Sequence, residues 1–383
     1  MVYDRWMDYK KESLKRHREL RGKIEIHIKD PLETQESVSI FYTPGMGSVC
    51  EEIVAHPESA WDLTGINNSV AIVSDGTAVL GFGDIGPRAA LPVMEGKSML
   101  FKRFGGINCY PIVLSTKDPD EIIAAVKAIA PTYGAINLED IAAPNCFYIE
   151  ESLKKALDIP VFHDDQHGTA IVVLAGLINA MKVTGKQLKD CKITLIGAGA
   201  AGVAVSKLLY KYAQPTIIAV DSKGIINGNR TDLGTEKKML LEFGGSDYPD
   251  GNLADALKNS DIFIGVSKAG LLTAEMVKTM AKDPIIFAMA NPVPEIMPDE
   301  AKAAGVAVMA TGRSDFPNQV NNALAFPGIF RGALDNRVSQ ITDDHKIAAA
   351  EVIASLVENP SAEEIIPSVL NDKLVPAIAA VIV

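Results

Sequence analysis

One stretch of text constrains the fold more than any other. KITLI at 192–196 runs into Gly197-Ala198-Gly199-Ala200-Ala201-Gly202, a helix pattern follows to about Lys211, and a second apolar run, TIIAV at 216–220, ends at Asp221. Glycine at the first, third and sixth places of such a turn permits a tight bend, close backbone approach to a pyrophosphate, and close packing of helix on strand. The helix N-terminus then offers its N–H groups to phosphate. Gly197, Gly199, Ala200, Ala201 and Gly202 are therefore expected to line a dinucleotide. Asp221 can accept from ribose hydroxyls and repels a 2'-phosphate, which points to NAD. Ser222 and Lys223 follow directly and could accommodate that phosphate, which keeps NADP open. Further strands at 261–266, 285–288 and 306–309, each followed by turn or helix signals, make repeated βα units. Such units specify a Rossmann-type, doubly wound parallel sheet.

The chain has 383 residues, which at roughly 100 to 200 residues per domain favours two domains. We expect an α/β protein with an N-terminal α/β domain at 1–160, the dinucleotide domain at 161–340, and C-terminal helices within 341–383, at 343–357 and 362–383, that pack back on the core. In the first domain, 7–20 reads as a charged helix and KIEIHIK at 23–29 as an edge-type strand. Residues 39–47 form an apolar segment entering a Pro-Gly turn. The run 70–80 reads as two strands around Asp75-Gly76, a hairpin signal. A helix is expected at 121–129 and a short buried strand, AINL, at 135–138, ending in Glu139-Asp140.

Composition narrows the function. The balance of 37 basic and 48 acidic residues, net -11, repels phosphate backbones and anionic lipid, so nucleic-acid and membrane partners are disfavoured. Cys50, Cys109, Cys146 and Cys191 have no CxxC spacing and read as reduced core thiols. The first twenty residues lack the apolar stretch of a secretory signal. The longest apolar runs, near 171–181 and 374–383, fall short of the ~20 residues that span a bilayer. A cytoplasmic protein is expected.

Two further constellations bear on chemistry. Glu139-Asp140 ends a strand, and FHDDQHGT at 162–169 places Asp164 and Asp165 just before an apolar helix. Adjacent acids at two strand ends suit a hard divalent cation such as Mg2+ or Mn2+; taken singly, each pair also reads as a solvated turn or a helix cap. His163 and His167, four apart, could bind zinc, but a hydrogen-bonding role is the better reading. Asn291-Pro292 after a strand, and the series from Thr311 to Asn322 with Arg313, Asn321 and Asn322, lie where ligands sit in open α/β sheets.

Together YTPG at 42–45, SDGTAVLGFGDIG at 74–86, LPVMEGK at 91–97, NLED at 137–140, FHDDQHGTA, GAGAAG, ANP at 290–292 and TGRSDFPNQVNN resemble the malic enzyme family in its short bacterial and archaeal form. The match runs in order from about residue 15 to residue 335. It implies a metal-dependent enzyme that converts L-malate and NAD(P)+ to pyruvate, CO2 and NAD(P)H, with NAD or NADP and Mg2+ or Mn2+ as cofactors, working as a homodimer or larger homo-oligomer. On this resemblance Tyr42 falls on the general acid, Lys97 on a proton-transfer lysine, Glu139, Asp140 and Asp165 on the metal ligands, and Asp164 on an acid beside the reaction centre. Asn291, Asn321 and Asn322 fall on the substrate and nicotinamide amides. Longer members carry an arginine for a malate carboxylate where this chain has Ala78, so Arg313 or backbone N–H groups must hold that carboxylate. Malolactic decarboxylation and an amino-acid dehydrogenase are the alternatives among enzymes, and a nucleotide-binding regulator is the alternative outside them. A lysine base must be neutral, and burial with a neighbouring cation is expected to depress Lys97.

Overall fold

The computed structural model describes residues 2–79 and 81–383, with side chains from residue 9 onward. Two parallel sheets organise the chain. The first has the order β2-β1-β3-β4, from β1 (Ser69–Ser74), β2 (Asn108–Val113), β3 (Ala135–Leu138) and β4 (Val161–His163). The second has the order β10-β9-β8-β5-β6-β7, from β5 (Lys192–Ile196), β6 (Thr216–Asp221), β7 (Gly224–Ile225), β8 (Ile262–Gly265), β9 (Ile285–Ala288) and β10 (Val308–Thr311). Every residue of β1, β3, β8, β9 and β10 is buried. That is the reason these strands read as largely apolar runs without alternation: helices cover both faces of a parallel sheet.

In the second sheet β5 pairs with both β6 and β8, so the strand order reverses there. This is the crevice where open α/β sheets bind ligands. The far edge departs from the usual doubly wound order. After β6 the chain turns back at once as the two-residue antiparallel β7, with Asp221 opposite Gly224, and among the described residues β7 is the edge of the sheet.

Several sequence expectations need correction. Residues 23–29 form no strand, and Ile24, Ile26 and Ile28 are exposed. The apolar segment before the Pro-Gly turn, left without a type by the sequence, begins in a helix, Gln35–Phe41. Only the first half of the expected hairpin forms. After β1 the chain leaves the sheet as a loop, because Gly76 at φ +69 sits so close to Gly86 O that a side chain would not fit; Leu80 lies outside the described residues. β4 belongs to the first sheet, since it pairs with β3, although 161 was expected to open the second domain. The 362–383 region holds one short helix, Leu374–Ala379. Cys50 is exposed and the other three cysteines are buried. The Asp164–Thr184 helix is long and apolar enough to cross a bilayer, but 67% of its apolar window is buried inside the protein; it is a core helix.

The two sheets share a core. The Pro87–Gly105 helix buries Ala90, Met94, Lys97, Ser98, Phe101 and Gly105, one face at helical spacing. Phe101 on that face meets Phe326 and Phe330 of the Phe326–Asp335 helix, with ring centroids 4.6 and 5.1 Å away, and Phe330 meets Phe162 of β4 at 5.7 Å. One apolar cluster therefore joins Val70 and Phe162 from the first sheet to Ile193 and Ile264 from the second.

Candidate active site

The site follows from strand register. β3 and β4 are parallel neighbours with Leu138 opposite His163, so the residues after each strand emerge side by side at the carboxyl edge. Those residues are Glu139-Asp140 and Asp164-Asp165. One carboxylate oxygen from each of Glu139, Asp140 and Asp165 lies within 4.8 Å of the others. Asp140 takes a left-handed backbone (φ 54), a conformation costing a non-glycine residue about 1–2 kcal/mol. Two hydrogen bonds hold it there: its N–H donates to Asp165 Oδ2 at 2.8 Å, and Ala78 N–H donates to its carbonyl at 2.9 Å. The Ala78 N–H is thus committed to Asp140.

Lys97 reaches this cluster because it lies on the buried face of its helix, between Met94 and Phe101. Its ammonium donates to Glu139 Oε2 at 2.5 Å and to Asp164 Oδ2, and lies 4.6 Å from the centre of the Phe326 ring. Burial alone would lower its pKa, but Asp164, Glu139 and Asp165 outweigh burial and raise it. That direction belongs to the protein's own charges, three acids around one ammonium; the sequence expectation concerned Lys97 with a metal ion beside it.

The acids show the matching strain. Burial raises Glu139 and Asp164 and, with Asp165 close by, pushes Asp140 up to about 7. Asp140 Oδ2 and Asp164 Oδ1 are buried without a hydrogen-bond partner. An all-oxygen set, short of positive charge and with unpartnered carboxylate oxygens, fits a hard divalent cation. Behind it, buried His163 has Nε2 3.3 Å from Asp165 Oδ2 and Nδ1 2.9 Å from Gln166 Nε2. Glu150 accepts from Gln166, from the His163 backbone N–H and from His167. Both histidines are tied into this network, as the hydrogen-bonding reading expects.

The remaining candidates fall in two groups. Asn322 packs on the first turn of the Asp164–Thr184 helix: a side chain at Gly168 would meet Asp164 Oδ1 and the Asn322 Cβ. Asn321 caps the following turn through Ala323 N–H. Asn291 borders the first domain, its carbonyl close against Gly81. Arg313, by contrast, is spent on Asp315, which accepts from its Nε and Nη2, and on Pro292 O. Tyr42 stands apart: the residue is 70% exposed, while Lys97, Glu139, Asp140 and Asp164 are buried and Asp165 is half-buried. Neither the Gln35–Phe41 nor the Met46–Ala55 helix buries a single residue.

At the dinucleotide turn, Gly197 (φ +109) faces Val266 O across the β5–β8 crevice, and a Cβ on Gly202 would lie 1.9 Å from Gly197 O. A Cβ added at Gly199 would meet nothing within 4 Å beyond its own chain neighbours. Gly199→Val is therefore expected to leave the thermal midpoint nearly unchanged and to abolish NAD(P)+ binding in calorimetry. Gly202→Ala is expected to lower the midpoint, because backbone must move. Undiminished cofactor affinity in Gly199→Val would exclude this turn as the pyrophosphate site. The sequence missed Asn137, which donates to Glu139 Oε2 at 2.9 Å, and Phe326 over Lys97; neither has a spacing signal.

Known proteins resemble this chain along most of its length. Residues 21–154 match the family model of the malic enzyme N-terminal domain, and 166–383 that of the malic enzyme NAD binding domain. The chain is 53% identical to the bifunctional malic/malolactic enzyme of Bacillus subtilis, over 97% of this chain and 92% of that one. It is 54% identical to the NAD-dependent malic enzyme of Geobacillus stearothermophilus, over 94% and 76%. In structure it resembles the NAD-dependent malic enzyme of Thermotoga maritima, with TM-score 0.93 and 45% identity over 96% of this chain and 98% of that one. The malic enzyme of Pyrococcus horikoshii superposes with TM-score 0.91 and 48% identity over 94% and 86%.

Proposed function

The chain belongs to the malic enzyme family, and from that premise we propose how its residues divide the oxidative decarboxylation of L-malate to pyruvate and CO2. The observation that carries the reading is Lys97, buried between Glu139 and Asp164 beside the Glu139, Asp140, Asp165 triad.

Glu139, Asp140 and Asp165 hold a Mg2+ or Mn2+ ion, and the Gly197–Gly202 turn holds the dinucleotide. When bound, the cation supplies Lewis acidity at the C2 oxygen and the dinucleotide supplies the hydride acceptor. Lys97 takes the hydroxyl proton as hydride leaves C2, with Asp164 as its partner. With the charge of the acids taken up, burial favours the neutral amine that this step needs. Lys97 then holds the proton near the same oxygen while the bound oxaloacetate loses CO2, and Tyr42 delivers a proton to C3. One proton is taken and one given, so malate and NAD(P)+ balance pyruvate, CO2 and NAD(P)H. Asn291, Asn321 and Asn322 orient substrate and nicotinamide. Since Arg313 and the Ala78 N–H are both engaged, the second malate carboxylate falls to these amides.

Tyr42 cannot act from solvent. The arm from residue 23 to 55 exposes Ile26, Ile40, Phe41, Tyr42 and Val54, an apolar face no other part of the described chain covers. A second copy of the chain covers it, and the arm carries Tyr42 into the partner's site, so the working unit is a homodimer. The enzyme acts in the cytoplasm.

The test is the ultraviolet absorbance of reduced nicotinamide with malate, Mn2+ and each cofactor in turn. Absorbance rising with pyruvate in equal amounts is the expected result; no rise with either cofactor would end the reading. The name of the Bacillus subtilis relative supports a second reading, in which NADH is retained and lactate leaves. Lactate as the main product would establish it.

A further inference from the structure

Asp221 was expected to accept from the adenosine ribose. It has no lone pair left for that role. Oδ1 accepts from Arg230 Nη1 at 3.0 Å and Lys223 N–H at 2.9 Å; Oδ2 accepts from Arg230 Nη2 at 3.2 Å and Lys237 Nζ at 2.6 Å. Four donors fill the capacity of one carboxylate, and the side chain is only 7% exposed. Burial would raise its pKa, yet Arg230 and Lys237 outweigh burial and hold it at about 2. Asp221 is thus a permanent counter-ion.

The cause lies in the sheet edge. Because β7 doubles straight back, the loop after it folds over the end of β6 and brings Arg230 and Lys237 onto Asp221. Arg230 also grips Asp232 through Nε and Nη2, and Asp232 accepts from Lys223 Nζ at 2.6 Å. Lys223, Arg230 and Lys237 against Asp221 and Asp232 leave one net positive charge, in a chain of net -11. Arg230 spends its fork on the two carboxylates. Each lysine spends one ammonium donor and keeps two, and each reaches solvent. Ser222 adds an exposed hydroxyl between β6 and Lys223.

We infer that the end of β6 is a phosphate subsite: Lys223 and Lys237 take the 2'-phosphate of NADP+, and Asp221 is a positioning residue for them instead of a ribose acceptor. Preorganised ammonium groups suit a phosphate, while the cofactor lacking it finds only filled acceptors. The inference rests on the reading that the Gly197–Gly202 turn binds the dinucleotide.

Calorimetry of the full chain with Mn2+, using adenosine 2',5'-bisphosphate and ADP as probes, separates the two claims. The bisphosphate is expected to bind roughly 10- to 100-fold tighter than ADP. In K223Q/K237Q, which alters two solvent-reaching side chains, that gap should close while ADP affinity holds. Asp221→Asn, which frees Lys237 and Arg230 from their anchor, should narrow the same ratio, an effect that general loosening of the fold would not produce. ADP binding with no preference for the bisphosphate, or equal loss of both probes in K223Q/K237Q, would overturn the subsite. If ADP itself fails to bind, the dinucleotide reading falls, and the subsite with it.

Discussion

Tyr42→Phe lowers the conversion of malate to pyruvate by about the 10²- to 10⁴-fold typical of a lost general acid, while reduction of added oxaloacetate, which needs no proton at C3, suffers much less. Lys97→Ala damages both reactions, since both move a proton at the C2 oxygen. Removing Lys97 also strands Glu139 and Asp164 without their cation, a loss of about 3–5 kcal/mol for a broken buried pair, so folded fraction and Mn2+ affinity are to be measured alongside. The exposed arm adds a sharper expectation. If Tyr42 works in the partner's site, co-refolding equal amounts of Tyr42→Phe and Lys97→Ala chains restores about a quarter of wild-type activity, because half the dimers are hybrids with one complete site of two. No restoration would place Tyr42 in its own chain's site. Equal losses in both reactions for Tyr42→Phe would show that the ring orients substrate or shares one proton relay with Lys97.

The acidic triad leads to the second large effect. EDTA should abolish malate oxidation but leave ADP binding at the glycine turn intact, because the two sites use different residues. Asp165→Ala should raise the Mn2+ dissociation constant by more than roughly 100-fold, since even the loss of groups behind a ligand costs 10- to 100-fold. Asp140→Asn is the cleaner variant at the other ligand: asparagine tolerates the left-handed backbone that Asp140 occupies, and an amide ends the repulsion from Asp165. It should therefore unfold at a higher temperature than wild type without metal, and gain less than wild type from saturating Mn2+. The wild-type gain is about 2.7 kcal/mol at a hundred times the dissociation constant. Full malate oxidation by the metal-free enzyme would refute the mechanism.

The legibility of these features in the sequence follows their range. Glu139-Asp140 and Asp164-Asp165 were readable because each pair directly follows an apolar strand, and parallel strands deliver their ends to the same edge. The βα alternation after residue 190 was readable for the same local reason. KIEIHIK alternates as a strand should, yet no strand among the described residues pairs with it; periodicity reports that one face is apolar, never which surface covers it. Asp75-Gly76 has hairpin chemistry, but Ala142 N–H bonds to Thr77 Oγ1 and Ala78 N–H to Asp140, and these contacts from β3's end win over the local signal. The reversal at Asp221 was hidden for a similar reason: Arg230 and Lys237 lie 9 and 16 residues away, in a loop with no period.

The aromatic contact between the first sheet and the Phe326–Asp335 helix bears on how the enzyme comes into being. Phe162 is made long before Phe330, its ring neighbour, and a ribosome adding 5–20 residues per second needs roughly 10–30 s to bridge that gap. For all that time Phe101 and Phe162 lack the rings of that helix, although Phe162 has His167 beside it at once. Lys97 waits for its Phe326 neighbour as well, so the buried cluster of Lys97 with Glu139 and Asp164 is among the last places to close. A chain that stops before residue 326 therefore lacks the helix that covers this core, and apolar surface left open in that way favours aggregation.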